Sequence, residues 1–459
     1  MLKTKLRRCD TESIAASIDR ADQKTIMTET ELRSRYEAHG QGHVFAYFDS
    51  LSETEKIEFL TQLACIQVEQ IRALLESASN DPAESSKSTI QPFNGAVACS
   101  SVVEKNETVA CNRYGFHFPT KSRSTRTRWR TGYTPRIQRP KRHVRHWFAF
   151  QTNAIRLVSL RLLKLSKLAS STIPFYVMTS PLNHDETRAY FEANDNFGLA
   201  SVFFFQQGML VPCLTTEGKI IVETAGQVAM APDGNGGIYP ALKLSGALDD
   251  MEQRKIEYLH IFSIDNTLVL PADPVFVGYC IHNNVECGNK SVWKSHAQEQ
   301  VGVVAQRNGK PCIVEYSEIT KNMAESTTEN GTLLYGAGNI CNHFYKVSFI
   351  RNSILPNMKN LYHLARKKIP HYNGTTTITP TTENNGIKLE TFIFDVFFLA
   401  ERYFCVLEVE RRQEFAPVKN KSGNDSPDTA RAMISELSKQ YVRAVVNSFM
   451  MTVCARSRS

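Results

Sequence analysis

Long apolar runs are absent from this sequence, although 42% of its 459 residues are hydrophobic. No stretch approaches the roughly 20 apolar residues of a membrane helix. The basic residues 1–10 lead into no apolar signal region, so secretion is not expected. The 11 cysteines are scattered singly without a Cys-x-x-Cys pair, which predicts free thiols in a reducing compartment, the cytoplasm. We expect no membrane partner.

Acidic residues are absent from Thr108 to His184. Within this stretch, Lys121–Arg145 contributes ten positive charges and no negative one. The net charge of the whole chain is +8, and without this tract it is about −2. The basic character is therefore local, which argues against a protein built as a whole to bind polyanions.

The rest of the chain predicts an α/β protein of about two or three domains. Residues 29–79 have helical periodicity, with a capping box at Ser52–Glu55. Apolar strands are predicted at 173–178, 201–206 and 256–264, with a helix from Asn183 between the first two. The polar segments 77–101 and 366–386 are predicted to be a surface loop and a loop or hinge.

Some residues fit ligand chemistry but each has an ordinary structural explanation. Ala231–Gly237 has three glycines in four positions, where the backbone can approach a ligand, and Asn235 adds a side-chain donor and acceptor. Asp265 at a strand end suits Mg²⁺, or caps a helix. Glu315 can accept bonds from sugar hydroxyls, or face solvent, and Lys419 can neutralise a phosphate, or be merely exposed.

Phe392 and Phe394 have spacing two, which would place both on one face of a strand and favours a core role. The glycine-rich segment, Asp265, Glu315 and Lys419, by contrast, belong to an ordered set of motifs. That set consists of Phe204-Phe-Gln-Gln-Gly208, Met230-Ala-Pro-Asp-Gly-Asn-Gly-Gly237, Ile264-Asp-Asn266, Gln300-Val-Gly-Val-Val304, Val314-Glu-Tyr-Ser-Glu318, Gly338-Asn-Ile-Cys-Asn-His-Phe344 and Phe415-Ala-Pro-Val-Lys-Asn420.

The ordered set resembles the eukaryotic UDP-N-acetylhexosamine pyrophosphorylases, as does Leu32–Gly42. The resemblance covers residues 29–80 and 155–442. It implies a Rossmann-like nucleotidyltransferase domain with a mixed sheet flanked by helices. It also implies a uridylyltransferase that joins UTP to N-acetylglucosamine 1-phosphate with Mg²⁺ as cofactor.

The resemblance also implies roles for single residues. These are uracil contacts for Gln207 and Gly234, amino-sugar contacts for Asn235, Gly302, Glu315 and Asn339, a place near the acetyl group for Phe392 and Phe394, the metal side for Asp265, and a catalytic role on the phosphates for Lys419. Preference between glucosamine and galactosamine, and oligomeric state, are left open.

The family's phosphate-binding loop, Gly-Gly-Gln-Gly-Thr-Arg-Leu-Gly followed by Asp-Pro-Lys-Gly, is absent. Codons that encode Trp129–Ala149 also encode, read one base on, Gly-Gly-Gln-Gly-Thr-Arg-Leu-Gly-Phe-Ser-Asp-Pro-Lys-Gly-Met-Phe-Asp-Ile-Gly-Leu-Pro. Read two bases on, Ala444–Ser457 can likewise give a sequence that resembles the family's C-terminal region. We therefore infer that reading frames are joined wrongly near residues 112–122, 151–155 and 444.

These joins predict four segments: an N-terminal helical region (1–110), a disrupted nucleotide-binding segment (111–154), a central nucleotidyltransferase domain (155–380) and the truncated start of a C-terminal region (381–459). A chain without the phosphate loop should bind UTP poorly and turn over little. Two alternatives remain: a catalytically dead sugar-nucleotide-binding homologue, and a nucleic-acid-binding protein that uses the basic tract 121–145 with its interleaved aromatic residues.

Overall fold

The structure is a computed structural model that describes residues 27–79, 89–99 and 144–456, apart from 182, 209–210, 232–233, 359–360, 379–382 and 402. The inferred loop segment up to residue 143 lies outside the described residues, so its predicted boundaries stay predictions. The chain forms two compact units. The described parts of residues 1–72, 212–229 and 366–387 form the small unit, and those of 73–211, 230–365 and 388–459 form the large unit.

The main helices are α1 (Glu29–Ala38), α2 (Glu53–Ala64), α3 (Ile71–Ser79), α4 (Val144–Ala169), α5 (His184–Ala193), α6 (Ile238–Leu244), α7 (Ala247–Gln253), α8 (Pro274–His282), α9 (Lys321–Glu325), α10 (Arg411–Glu414) and α11 (Pro427–Arg456). Within the part of the chain that the structure describes, no helix is long and apolar enough to cross a membrane.

The strands are β1 (Ile90–Pro92), β2 (Ala96–Cys99), β3 (Phe175–Thr179), β4 (Val202–Gln206), β5 (Val211–Pro212), β6 (Val222–Thr224), β7 (Gln227–Val228), β8 (Met230–Ala231), β9 (Tyr258–Phe262), β10 (Cys287–Trp293), β11 (Val303–Arg307), β12 (Lys310–Val314), β13 (Ala337–Lys346), β14 (His363–Lys367), β15 (His371–Tyr372), β16 (Thr377–Ile378), β17 (Gly386–Glu390) and β18 (Phe404–Glu408).

A mixed eight-stranded sheet forms the centre of the large unit. Its order is β1-β11-β13-β10-β18-β2, with β12 paired to β11 and β9 paired to β13. The pairs β10–β18 and β18–β2 are parallel, whereas β13 is antiparallel to both β10 and β9. Strands β3 and β4 form a separate parallel pair. Because β10 and β18 are buried almost throughout, helices and loops must cover both faces of the sheet.

The small unit begins with the predicted helices. Ser52 caps α2 through a capping box with Glu55, as the sequence predicts. The hydroxyl of Tyr36 donates to the carbonyl of Leu63 at 3.0 Å and ties α1 to the end of α2. The side chain of Gln41 fixes the strand-forming part of this unit, because its Oε1 accepts from the Ile220 N–H at 2.9 Å.

Some local predictions are wrong. The predicted loop 77–101 contains strands β1 and β2, and the predicted loop 366–386 contains β15 and β16. Asn183 does precede α5, but its side-chain Oδ1 accepts from the N–H and the hydroxyl of Ser180 instead of from the first N–H groups of the helix. The predicted helical character of residues 29–79 is confirmed, and the three predicted strands are confirmed within two residues at their ends.

Candidate functional site

The glycine-rich turn lies against the backbone of Thr391. It follows the short strands β6, β7 and β8. Gly234 has φ +89°, and a Cβ there would lie 2.3 Å from the Thr391 carbonyl oxygen. The Gly236 N–H donates to that same oxygen at 2.9 Å. Only glycine allows this approach, so the turn is fixed by close backbone packing.

Gln207 lies directly after β4 and is buried. Its backbone N–H donates to the Thr179 carbonyl at 2.8 Å, at the end of β3. Its Nε2 reaches the carbonyl of Gly234 at 3.5 Å. The two residues to which the resemblance assigns the uracil therefore lie side by side, at the carboxyl ends of the parallel strands β3 and β4. Ligands of α/β proteins usually bind at this edge.

Asn235 and Asn339 each use their side-chain oxygen within the protein. Oδ1 of Asn235 accepts from the Ile393 N–H at 2.9 Å, and Oδ1 of Asn339 accepts from the Cys341 N–H at 3.0 Å. Nδ2 of Asn235 points at Sγ of Cys341, 3.8 Å away. Both asparagines are therefore oriented as amide donors, which suits the hydroxyl or carbonyl oxygens of a sugar.

Glu315 lies over Gly302. A Cβ on Gly302 would come within 2.7 Å of the Glu315 carboxylate, so the absence of a side chain at this position lets the acid lie close to the backbone. The Gly302 carbonyl accepts from the Asn339 N–H at 2.7 Å. Two residues predicted to hold the sugar, Glu315 and Asn339, are thus connected through a third.

The carboxyl of Glu315 has an unusual acidity. Burial, followed by the negative charges of Glu318 and Asp395, raises its pKa to about 7, and the positive charges of His363 and Lys419 oppose the rise. A carboxyl group with this pKa is present in both protonation states near neutral pH. It can therefore donate to or accept from a sugar hydroxyl.

The raised pKa of Glu315 predicts a pH-dependent stability. Because the folded protein holds this proton more tightly than the unfolded chain, the contribution of Glu315 to the free energy of unfolding is greatest below about pH 4.5 and is lost as the pH rises through about 7. Glu315→Gln removes this dependence. We expect the variant to be more stable than the parent at pH 8 by at most about 3 kcal/mol, as measured by urea unfolding at pH 5.5 and pH 8.

The matched control is Glu329→Gln, at an exposed position. This variant should show the same difference in the free energy of unfolding between pH 5.5 and pH 8 as the parent chain. An equal stability gain for Glu315→Gln at both pH values would contradict the assignment, because only a titrating carboxyl gives a gain that grows with pH.

Phe392 and Phe394 do not share a strand face, which corrects the sequence prediction. They lie in a turn after β17, yet their rings stack with centroids 5.1 Å apart at 19°. The ring of His363 lies 4.8 Å from that of Phe392 at 34°. Because the Ile393 N–H between the two phenylalanines donates to Asn235, this aromatic cluster adjoins the amide donors.

Asp265 and Lys419 lie on two segments joined by backbone hydrogen bonds. The Val418 N–H donates to the Asp265 carbonyl at 2.9 Å. Burial raises the pKa of the Asp265 carboxyl, and the Ser263 hydroxyl and the charge of Lys419 act in the opposite direction. The side chain of Lys419 is exposed. The predicted metal-side acid and phosphate-side cation are therefore neighbours.

Cys341 lies among these groups and contacts both Asn235 and Asn339. Burial, with the negative charges of Asp265 and Glu315, raises the pKa of its thiol to about 12. The positive charge of Lys419 acts in the opposite direction, so Asp265, Glu315 and Lys419 all lie near this thiol. The structure thus brings together the residues that the sequence predicted as separate segments, while their individual roles stay predictions.

Sequence reasoning missed His363, Thr391 and Asp395. None of the three belongs to the ordered set of motifs. Isolated histidine, threonine and aspartate residues occur throughout the chain, so the sequence gives little reason to select these three. Among the described residues, no group of three or more histidine, cysteine, aspartate or glutamate side chains is arranged to hold a metal ion.

Residues 148–448 match the family described as UTP–glucose-1-phosphate uridylyltransferase. The chain is 36% identical over 443 residues to the UDP-N-acetylhexosamine pyrophosphorylase-like protein 1 of Xenopus tropicalis, covering 91% of this chain and 85% of the relative. It is 33% identical over 449 residues to the probable UDP-N-acetylglucosamine pyrophosphorylase of Dictyostelium discoideum, covering 92% of each.

Solved structures agree with these relatives. The fold is similar to that of the uridine diphosphate N-acetylglucosamine pyrophosphorylase from Trypanosoma brucei in complex with inhibitor, with a TM-score of 0.68 and 26% identity, over 90% of this chain and 85% of that one. A putative UDP-N-acetylglucosamine pyrophosphorylase from Entamoeba histolytica gives a TM-score of 0.62 and 28% identity, over 77% and 90%. The predicted α/β fold class, with a mixed sheet flanked by helices, is confirmed.

Proposed function

Because the chain belongs to the UTP–glucose-1-phosphate uridylyltransferase family, we propose that it is built to join UTP to an N-acetylhexosamine 1-phosphate, giving a UDP-N-acetylhexosamine and pyrophosphate. By family it is a nucleotidyltransferase, as the sequence predicts. The observation that carries the choice of sugar is the connection of two amide donors, Asn235 and Asn339, through Cys341. Asn339 is further connected to the acid Glu315 through Gly302, and Asn235 is bonded to the turn that carries Phe392.

This combination suits an acetamido sugar. Its hydroxyl and carbonyl oxygens need donors, its hydroxyl protons need an acceptor, and its methyl group needs an apolar surface. Asn235 and Asn339 supply the donors, Glu315 the acceptor, and Phe392 the apolar surface. Gln207 can bind the polar edge of a uracil next to the closely packed turn at Gly234.

In the reaction, an oxygen of the sugar phosphate forms a bond to the α-phosphorus of UTP, and the bond from that phosphorus to the β-phosphate oxygen breaks. Pyrophosphate leaves with the electron pair. The protein contributes position and charge. Lys419 places a positive charge beside Asp265 and can partly neutralise the phosphates.

Mg²⁺ fits the donor set, because it takes one or two carboxylates and otherwise phosphate and water oxygens. Asp265, which is half-buried and has a raised pKa, is the carboxylate that we propose as the ligand of Mg²⁺. A bound Mg²⁺ would share the charge of the phosphates.

The eight cysteines whose side chains the structure describes are free thiols, which supports a reducing compartment such as the cytoplasm.

The missing loop limits turnover in this proposal. The sequence lacks the glycine-rich segment and its arginine and lysine, which the resemblance places around the UTP phosphates. The uracil-side and sugar-side residues are all present. We therefore propose a chain that binds the nucleotide sugar through its two ends but transfers the uridylyl group slowly.

Calorimetry with UDP-N-acetylglucosamine and with UTP tests this function. The chain should bind UDP-N-acetylglucosamine more tightly than UTP, because only the former engages the sugar residues. Asn235→Ala should weaken the binding of UDP-N-acetylglucosamine by roughly tenfold or more. It should change UTP binding much less.

Asn322→Ala, at an exposed helical position, is the matched control and should leave both affinities unchanged. Failure of the parent chain to bind UDP-N-acetylglucosamine at all would overturn the proposed function. Equal weakening of both ligands by Asn235→Ala would show that Asn235 supports the fold and not the sugar.

A further inference from the structure

One carboxylate, that of Asp395, holds two different parts of the aromatic cluster. Its Oδ1 lies 2.9 Å from Nε2 of His363, and its Oδ2 accepts from the backbone N–H of Phe392 at 2.6 Å. The side chain of Asp395 is only 10% exposed, so these bonds form largely away from water. Hydrogen bonds to a charged acceptor in such a place are strong and directional.

The remaining groups of this turn are also fixed. The Ile393 carbonyl accepts from the hydroxyls of Tyr239, at 2.5 Å, and Tyr345, at 3.1 Å. Both tyrosines are fully buried. The backbone between Phe392 and Phe394 therefore has a rigid support that does not depend on His363.

The ring of Phe392 has two aromatic neighbours that differ in their exposure to solvent. Phe394 is buried and stacks on it, whereas His363, whose side chain is 28% exposed, is the neighbour nearer to solvent. His363 is itself oriented by its bond to Asp395. A side chain on β14, 29 residues before Phe392, thus sets the surroundings of a ring that adjoins the sugar donors.

We propose that His363 and Asp395 form a positioning pair that holds the ring of Phe392 in place for an acetamido group, and so determines selectivity for N-acetylated over non-acetylated sugar nucleotides. The inference rests on the proposed function, since it assumes that the sugar binds beside Asn235 and Glu315. Its physical basis is that a methyl group gains from an apolar surface only where that surface is held within contact distance.

The test compares binding of UDP-N-acetylglucosamine and UDP-glucose by calorimetry for the parent chain and His363→Ala. The variant should lose roughly tenfold in affinity for the acetylated ligand. Its affinity for UDP-glucose should stay the same, because that ligand has no methyl group to place. The ratio of the two affinities is the decisive quantity, since general damage to the fold would lower both.

His282→Ala, at an exposed position at the end of α8, is the matched control and should leave the ratio unchanged. Equal loss for both ligands in His363→Ala, or no loss, would overturn the positioning role. A parent chain that binds neither ligand would instead refute the proposed function, and the inference with it.

A crystal structure of His363→Ala without ligand gives a second measurement that does not depend on binding. The backbone at Ile393 should keep its bonds to Asn235 and Tyr239, while the ring of Phe392 changes its orientation. An unchanged ring of Phe392 would overturn the inference even if the affinities had shifted.

Discussion

Replacing residues 129–149 by Gly-Gly-Gln-Gly-Thr-Arg-Leu-Gly-Phe-Ser-Asp-Pro-Lys-Gly-Met-Phe-Asp-Ile-Gly-Leu-Pro should raise uridylyl transfer by two orders of magnitude or more. The replacement has the same length as the tract it removes. Its backbone amides, arginine and lysine would act where charge develops on the leaving pyrophosphate. Removal of one such preorganised donor typically costs on the order of 10²–10³ in rate. Release of pyrophosphate from UTP and N-acetylglucosamine 1-phosphate measures the gain.

The faster transfer should be accompanied by tighter UTP binding, whereas the affinity for the sugar phosphate should change little. A control chain carries the same replacement with its arginine and lysine changed to alanine. It keeps the glycine-rich backbone but should recover much less activity, because the charges of the pyrophosphate remain unopposed. If the parent chain already turned over as fast as the restored one, the missing loop would not limit the reaction.

The restored segment also changes the start of a helix. In the present chain α4 begins at Val144 and therefore includes the end of the replaced tract. The replacement puts a proline at position 149, which a helix tolerates in its first turn but not in its interior. The helix should then start later in the chain. A shorter α4 in a structure of the restored chain would support the inference that residues 129–149 stand where the family has its phosphate-binding loop.

Local sequence patterns predicted the regular elements well where a single segment determines them. The helix α2 follows from its apolar spacing and from Ser52, and β3 follows from an unbroken apolar run that is buried throughout. Strands β1 and β2 were missed because they have only three and four residues and pair with β11 and β18. Such strands depend on distant partners and not on their own composition.

The candidate site shows the same limit. The motif order located Asn235, Gly302, Glu315 and Asn339, and the structure brings their segments together. The spacing of Phe392 and Phe394 predicted a strand, whereas a turn fixed by Asn235, 158 residues away, determines their geometry. His363 could not be found from sequence, because only the fold places it against Asp395.

Lys290→Met should destabilise the chain by about 3–5 kcal/mol, the usual cost of leaving buried charges unpaired. Nζ of Lys290 lies 2.5 Å from Asp273 and 2.7 Å from Glu414, and the three side chains are 0, 4 and 3% exposed. Removing the lysine leaves two carboxylates buried in an apolar cluster. Since domains are stable by only about 5–15 kcal/mol, urea unfolding should show a large shift of the midpoint.

The same substitution at Lys310 is the matched control. Lys310 pairs with Glu401 at 3.3 Å, but their side chains are 49% and 63% exposed, so Lys310→Met should change stability by no more than about 0.5 kcal/mol. Removing all three buried charges together, with Lys290→Met, Asp273→Asn and Glu414→Gln, should restore part of the loss. Equal effects of Lys290→Met and Lys310→Met would contradict the argument from burial.

The damage should reach the candidate site through Asn266. Its Nδ2 donates to the Glu414 carbonyl at 2.7 Å and its Oδ1 accepts from the Ala416 N–H at 2.9 Å, on the segment that continues to Lys419. Because Asp265 precedes Asn266, loss of the Lys290 ion pairs should make the positions of both Asp265 and Lys419 less well fixed. In the loop-restored chain, Lys290→Met should therefore lower turnover at temperatures where the protein is still fully folded. An unchanged turnover at those temperatures would show that the buried ion pairs of Lys290 do not influence the candidate site.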